Sequence, residues 1–90
     1  MISIIIPAKN ESQNIHKNLN HLQELRKLHI CEIILVDGGS TDNTVKVANN
    51  LVDHVLKTKS GRAIQQNIGA SIARGNILLF LHADTYITIE

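Results

Sequence analysis

Two aliphatic runs constrain this chain more than any other feature. Residues 2–6 read Ile-Ser-Ile-Ile-Ile and residues 33–36 read Ile-Ile-Leu-Val, nearly without polar alternation. A strand of that kind must be covered on both faces, as strands inside parallel sheets are. Pro7 ends the first run, because it has no N–H for a ladder. Between the apolar runs lie stretches of helical period. Ile15, Leu19, Leu22 and Leu25 share one stripe, which predicts a helix over 14–27 with Ser12 as its N-cap. A second strand spans 32–37 and is followed by the turn Gly38-Gly39-Ser40. Thr41 or Asp42 then caps a helix that turns Val45, Ala48 and Val52 inward. Residues 53–56 form a short third strand. Gly61 opens a third helix carrying Ile64, Ile68 and Ile72, and Gly75 stands where a left-handed helix stop belongs. Residues 76–81 form the fourth strand, and residues 86–90 begin a strand-like alternation.

The order β-α-β-α-β-α-β implies an α/β fold: a parallel four-stranded sheet, helices on both faces, right-handed crossovers. Ninety residues suffice for one small domain. The composition, 43% hydrophobic and 19% charged, is too apolar for a disordered chain. Phe80 and Tyr86 are the only aromatic residues, which leaves few surfaces for stacking bases. The net charge of +1 comes without a basic block, so no nucleic-acid footprint is expected. Cys31 is the single cysteine; it excludes an internal disulfide and reads as a small buried hydrophobe at a strand start. No stretch approaches the ~20 apolar residues of a membrane-spanning helix.

In an open parallel sheet, ligands bind beyond the carboxyl ends of the strands. All four strands here end in polar loops: residues 7–11, 37–42, 57–62 and 82–84. Two nucleotide-binding patterns are missing. No G-x-G-x-x-G follows the first strand, and there is no G-x-x-x-x-G-K-[ST]. Asp37 has two available roles, capping the turn after its strand or accepting a hydrogen bond from a base N–H. Arg62 is either a solvated helix-start residue or a contact to base or phosphate, Lys9 reads as a surface lysine, and Asp84 suits either a turn or a metal.

Taken together, I-S-I-I-I-P-A-K-N-E, E-I-I-L-V-D-G-G-S-T-D-N-T, G-R-A-I-Q-Q-N-I-G-A and I-L-L-F-L-H-A-D-T resemble, in order and spacing, the family-2 glycosyltransferases of GT-A fold. The likeness is strongest to a bacterial subgroup with L-H-A-D-T where most relatives have D-x-D. It covers essentially the whole chain. It implies that residues 1–90 are the half of a Rossmann-like GT-A domain that binds a nucleotide diphosphate sugar, a UDP- or GDP-sugar, with the acceptor half and its general base absent from the chain. Pro7, Ala8, Asn10, Glu11, Asp37, Gly38, Arg62, Asn67, His82 and Ala83 are then the nucleotide-binding candidates. Asp84 is the candidate ligand for Mg²⁺ or Mn²⁺, with His82 as a second. The sequence departs from the family pattern at two acids: His82 stands for the first Asp of D-x-D, and Gly38 for an Asp often found after strand two.

The resemblance implies a parent enzyme that transfers a sugar with inversion, located in the cytoplasm or peripheral to a membrane. These ninety residues alone are expected to bind donor nucleotide without catalysis, and to form a homodimer through the uncovered fourth strand. Two other functions stay open, another nucleotide-using transferase and a non-catalytic self-associating α/β module.

Overall fold

The computed structural model describes residues 1–84. Four parallel strands form one sheet in the order β3-β2-β1-β4. They are β1 (Ile2–Ala8), β2 (Cys31–Asp37), β3 (His54–Lys57) and β4 (Ile77–Phe80). The expected α/β architecture is present. β1 lies between β2 and β4, with Ile2 opposite both Cys31 and Ile77. Cys31 is buried at the start of β2, as its sequence position suggested.

The helices divide between the faces. On one side α1 (Ser12–Asn20), α2 (Gln23–Lys27) and α3 (Thr44–Ala48) cover a core of Ile4, Ile6, Ile15, Leu19, Leu22, Ile33, Leu35, Ala48 and Val52. On the other, α4 (Arg62–Ile72) covers a thin core of Ile5, Ile34 and Val36.

Several local expectations change. β1 runs through Pro7 to Ala8, with Pro7 paired opposite Val36, and α3 has Asn43 at its N-cap position in place of Thr41 or Asp42. The helix over 14–27 is broken into α1 and α2. Leu22 N–H bonds to Leu19 O, three residues back, and Gln23 Nε2 donates to that same carbonyl at 2.9 Å. The tight turn swings Leu22 into the core. Ser12 lies inside α1 rather than capping it; Glu11 holds the cap position, and Ser12 N–H donates to Asp42 Oδ2. In α4 the sheet-facing positions are Gln65 and Gly69, while Ile64 and Ile68 stand 45% and 37% exposed. A Cβ on Gly69 would lie 2.5 Å from Ile5 Cγ2 and 3.0 Å from Val36 Cγ2, so only glycine lets this helix lie so close to the strands. Gly75 has no positive φ and is no left-handed stop. A Cβ there would meet Met1 O at 2.6 Å, so the glycine permits backbone contact at the start of β4.

That contact belongs to a polar knot at the amino ends of the strands. Ser3 Oγ donates to Glu32 Oε2, which also accepts Arg74 N–H at 2.6 Å, and Gly75 N–H donates to Ser3 Oγ at 2.8 Å. Burial pushes the Glu32 carboxyl upward, but these hydrogen bonds outweigh it and leave the group below the ordinary carboxylate range. The strand-like alternation expected over 86–90 lies outside the described residues.

Candidate functional site

The opposite end of the sheet is open. A cavity of about 520 Å³ sits beyond the carboxyl ends of β1 and β4. These neighbours in space were reached by connections on opposite faces, the place where open α/β sheets bind ligands. Three segments line it. Pro7, Ala8, Lys9 and Glu11 follow β1; Ser60, Gly61, Arg62 and Gln65 lead into α4; His82, Ala83 and Asp84 follow β4.

Each wall has a local cause. Ala8 O accepts Gly38 N–H at 2.8 Å, which holds the end of β1 to the turn after β2. Ala83 is buried, and its carbonyl accepts Asn18 Nδ2 at 2.5 Å, so α1 carries the loop that presents His82 and Asp84. Gly61 is the N-cap of α4, so the positive end of an eleven-residue helix meets the cavity beside Arg62. Arg62, Lys9 and that helix end supply positive charge, and Glu11 and Asp84 supply carboxylates. A space with both suits a polyanion, a cation, or the two together.

Seven of the eleven residues named from the sequence meet here: Pro7, Ala8, Glu11, Arg62, His82, Ala83 and Asp84. Four do not line the cavity. Asn10 adopts a left-handed φ of 54° and ties two loops together, its Oδ1 accepting Thr41 N–H at 2.8 Å and its own N–H reaching Ser40 Oγ. Asp37 is 3% exposed and caps its own turn; Oδ2 accepts the N–H groups of Gly39 and Ser40, and Oδ1 accepts Ser40 Oγ. Gly38 is buried beneath the cavity against Gln65. Asn67 is exposed midway along α4. In the other direction, Lys9, Ser60, Gly61 and Gln65 line the cavity without having been named as site residues. The polar loop 57–62 was a signal for Ser60. Gln65 had none, because a glutamine one turn into a helix ordinarily faces solvent.

Asp42 pins the same rim. Its carboxylate accepts Ser12 N–H, Thr44 N–H and Thr44 Oγ1. The Thr44 hydroxyl chiefly, then the Thr44 and Ser12 contacts, hold its pKa down to about 2.

The model of glycosyl transferase family 2 matches residues 3–90. This chain belongs to that family. An uncharacterized glycosyltransferase of Haemophilus influenzae is 32% identical over 94 residues, covering 97% of this chain and 37% of its own length. A PGL/p-HBAD biosynthesis glycosyltransferase of Mycobacterium bovis is 37% identical over 91 residues, covering 93% and 35% respectively. The chain thus spans about a third of the length of these relatives. Among solved structures, S. aureus TarS 1-349 in complex with UDP superposes with a TM-score of 0.79 at 28% identity, over 94% of this chain and 28% of that one. The mannosyltransferase PcManGT from Pyrobaculum calidifontis, solved with GDP-Man and Mn²⁺, superposes at 0.84 with 24% identity, over 94% and 28% of the two chains, and speaks to the fold alone. The α/β sheet is that of the GT-A glycosyltransferases. Among the described residues no helix is long and apolar enough to cross a membrane.

Proposed function

We propose that this chain is the donor-binding half of a glycosyltransferase domain, and that its cavity takes the nucleoside diphosphate of a sugar donor. One observation carries this: Arg62, the amino end of α4 and Asp84 face a single space beyond β1 and β4. Arg62 and the helix end attract the diphosphate, and Asp84 faces it from the β4 side. UDP is the first candidate, supported by the UDP complex of TarS, with GDP as the second. Asp37 already accepts three hydrogen bonds from its turn, so a base N–H would take the remaining acceptor site of its carboxylate.

The residues present fit a divalent ion of limited protein ligation. Among the described residues no group of three His, Cys, Asp or Glu could hold a metal. Asp84, with His82 as second donor, would hold Mg²⁺ or Mn²⁺ in company with phosphate oxygens and water. When bound, such an ion supplies charge neutralisation at the leaving diphosphate.

The parent enzyme transfers the sugar with inversion to an acceptor bound elsewhere in its length, where its general base also resides. We assign it to the cytoplasm or a membrane surface, and its L-H-A-D-T supports membership of the subgroup with that motif. The ninety residues alone bind nucleotide and pair as a homodimer through β4, a reading supported by the 40–57% exposure of Ile77, Leu78, Leu79 and Phe80.

Calorimetric titration with UDP, GDP and ADP, each with and without Mn²⁺, tests the proposal. UDP or GDP should bind more tightly than ADP. Arg62→Ala should weaken binding throughout, and Asp84→Ala should remove only the part that depends on metal. Equal binding of all three nucleotides, or full metal dependence in Asp84→Ala, would overturn it.

A further inference from the structure

Gln65 is the buried polar group in the cavity wall to which the proposed function gives no task. It is 5% exposed, and its amide is spent on three backbone segments. Nε2 donates to Ala8 O at 3.2 Å and to Val36 O at 2.9 Å. Oε1 accepts Gly61 N–H at 3.1 Å. These partners fix the amide's orientation, since a flip would set an oxygen against two carbonyls. Two donors and a strong acceptor at that reach suit glutamine: ionised glutamate lacks the donors, lysine the acceptor, and methionine has no donor and only a weak acceptor.

The three segments are the end of β1, the end of β2 and the start of α4. Ala8 and Gly61 both line the cavity, on walls that have no covalent connection nearby. Gly38 shows how closely the amide is enclosed. A Cβ there would lie 2.8 Å from Oε1 and 2.9 Å from Nε2.

We propose that Gln65 is a positioning residue of the nucleotide site. By holding Ala8 and Gly61 at a set separation, it fixes where Arg62, the next residue after Gly61, meets the diphosphate. Gln65 acts through Arg62 and the helix end and spends none of its donors on the ligand. This rests on reading the cavity as a donor site.

The test is a double-mutant cycle on UDP affinity, measured by calorimetry on the full ninety-residue chain well below each variant's melting temperature. Gln65→Met keeps the length and removes the three hydrogen bonds, and should weaken UDP binding about tenfold. In an Arg62→Ala background the same substitution should cost clearly less than it does alone, because only the helix end is left for it to position. A role in stability alone would lower the melting temperature and leave this coupling at zero. Gly38→Ala, which crowds the amide and removes no hydrogen-bonding group, should repeat both results if Gln65→Met does not fold. Unchanged UDP affinity in a folded variant, or losses that simply add to that of Arg62→Ala, would overturn the positioning role while leaving the donor site intact. Failure of the unsubstituted chain to bind UDP or GDP would overturn both.

Discussion

The two faces of the sheet are built by different rules. Under α1, α2 and α3 the contact is large and aliphatic, with Ile15, Leu19, Ile33 and Leu35 wholly buried. Under α4 the strands offer the buried Ile5, Ile34 and Val36 with the half-buried Leu56, and the helix answers with Gly69, an amide and the half-buried Ala70 and Ile72. The first face is held by apolar area, at roughly 25 cal/mol per Å². The second is held by close approach and by hydrogen bonds to strand ends. The helix that carries Arg62 is thus docked by the mode that fixes position most sharply, while the opposite face supplies most of the apolar burial.

If that division is right, substitutions on the two faces should separate stability from binding. Leu19→Ala should have the largest effect, a loss of about 2–5 kcal/mol in urea unfolding, with the UDP affinity of the folded protein unchanged. A parallel fall in affinity would break the comparison. Gly69→Ala comes next. Its methyl must displace Ile5 or α4, so a loss of about 1–3 kcal/mol is expected, this time with weakened UDP binding because the helix carries Arg62 away from the wall. Phe80→Ser should lower the monomer's stability by about 1 kcal/mol, its side chain being 43% exposed, and should shift sedimentation equilibrium toward monomer. An undiminished dimer would exclude pairing through β4.

The smallest effect is electrostatic and lies on the rim that joins α1 to α3. Asp42 has its pKa lowered from 3.8 to about 2 by the Thr44 hydroxyl and its neighbours. The folded carboxyl therefore binds its proton less readily than the unfolded one. Its contribution is complete above the unfolded value and is lost as pH falls through about 2. Acid titration followed by circular dichroism should show a shallower decline between those limits in Asp42→Asn. An identical curve would mean that the Asp42 contacts contribute nothing to folding.

Much of this was legible in the chain. Ile2 to Ile6 and Ile33 to Val36 could only be buried strands, and the polar loops that follow strands could only gather at one rim. That sufficed for the sheet and for Pro7, Glu11, Arg62, His82 and Asp84 at one cavity. The misjudged residues are those whose neighbours come from far along the sequence. Ile64 and Ile68 give α4 an apolar stripe, but Gly69 decided which way the helix turned, through a contact with Ile5 that no local pattern encodes. Gln65 was unreadable for the same reason, its partners Ala8 and Val36 belonging to strands that precede it by 57 and 29 residues. Of the two roles open to Asp37, the structure shows the capping of its turn, which engages the carboxylate that a base would also seek.

The central place of β1 has a consequence in time. It comes first of the four described strands and is an inner strand, and its second neighbour, β4, pairs Ile77 with Ile2, 75 positions later. As the chain emerges from a ribosome, β1 and β2 pair early, and one side of β1 then waits, with its N–H and C=O groups unmatched, until β4 has been made. Loop closure over that length is slow, and a waiting edge is a place where another chain can add. Gly75, which lets the late strand lie directly on Met1 and Ser3, is where that wait ends.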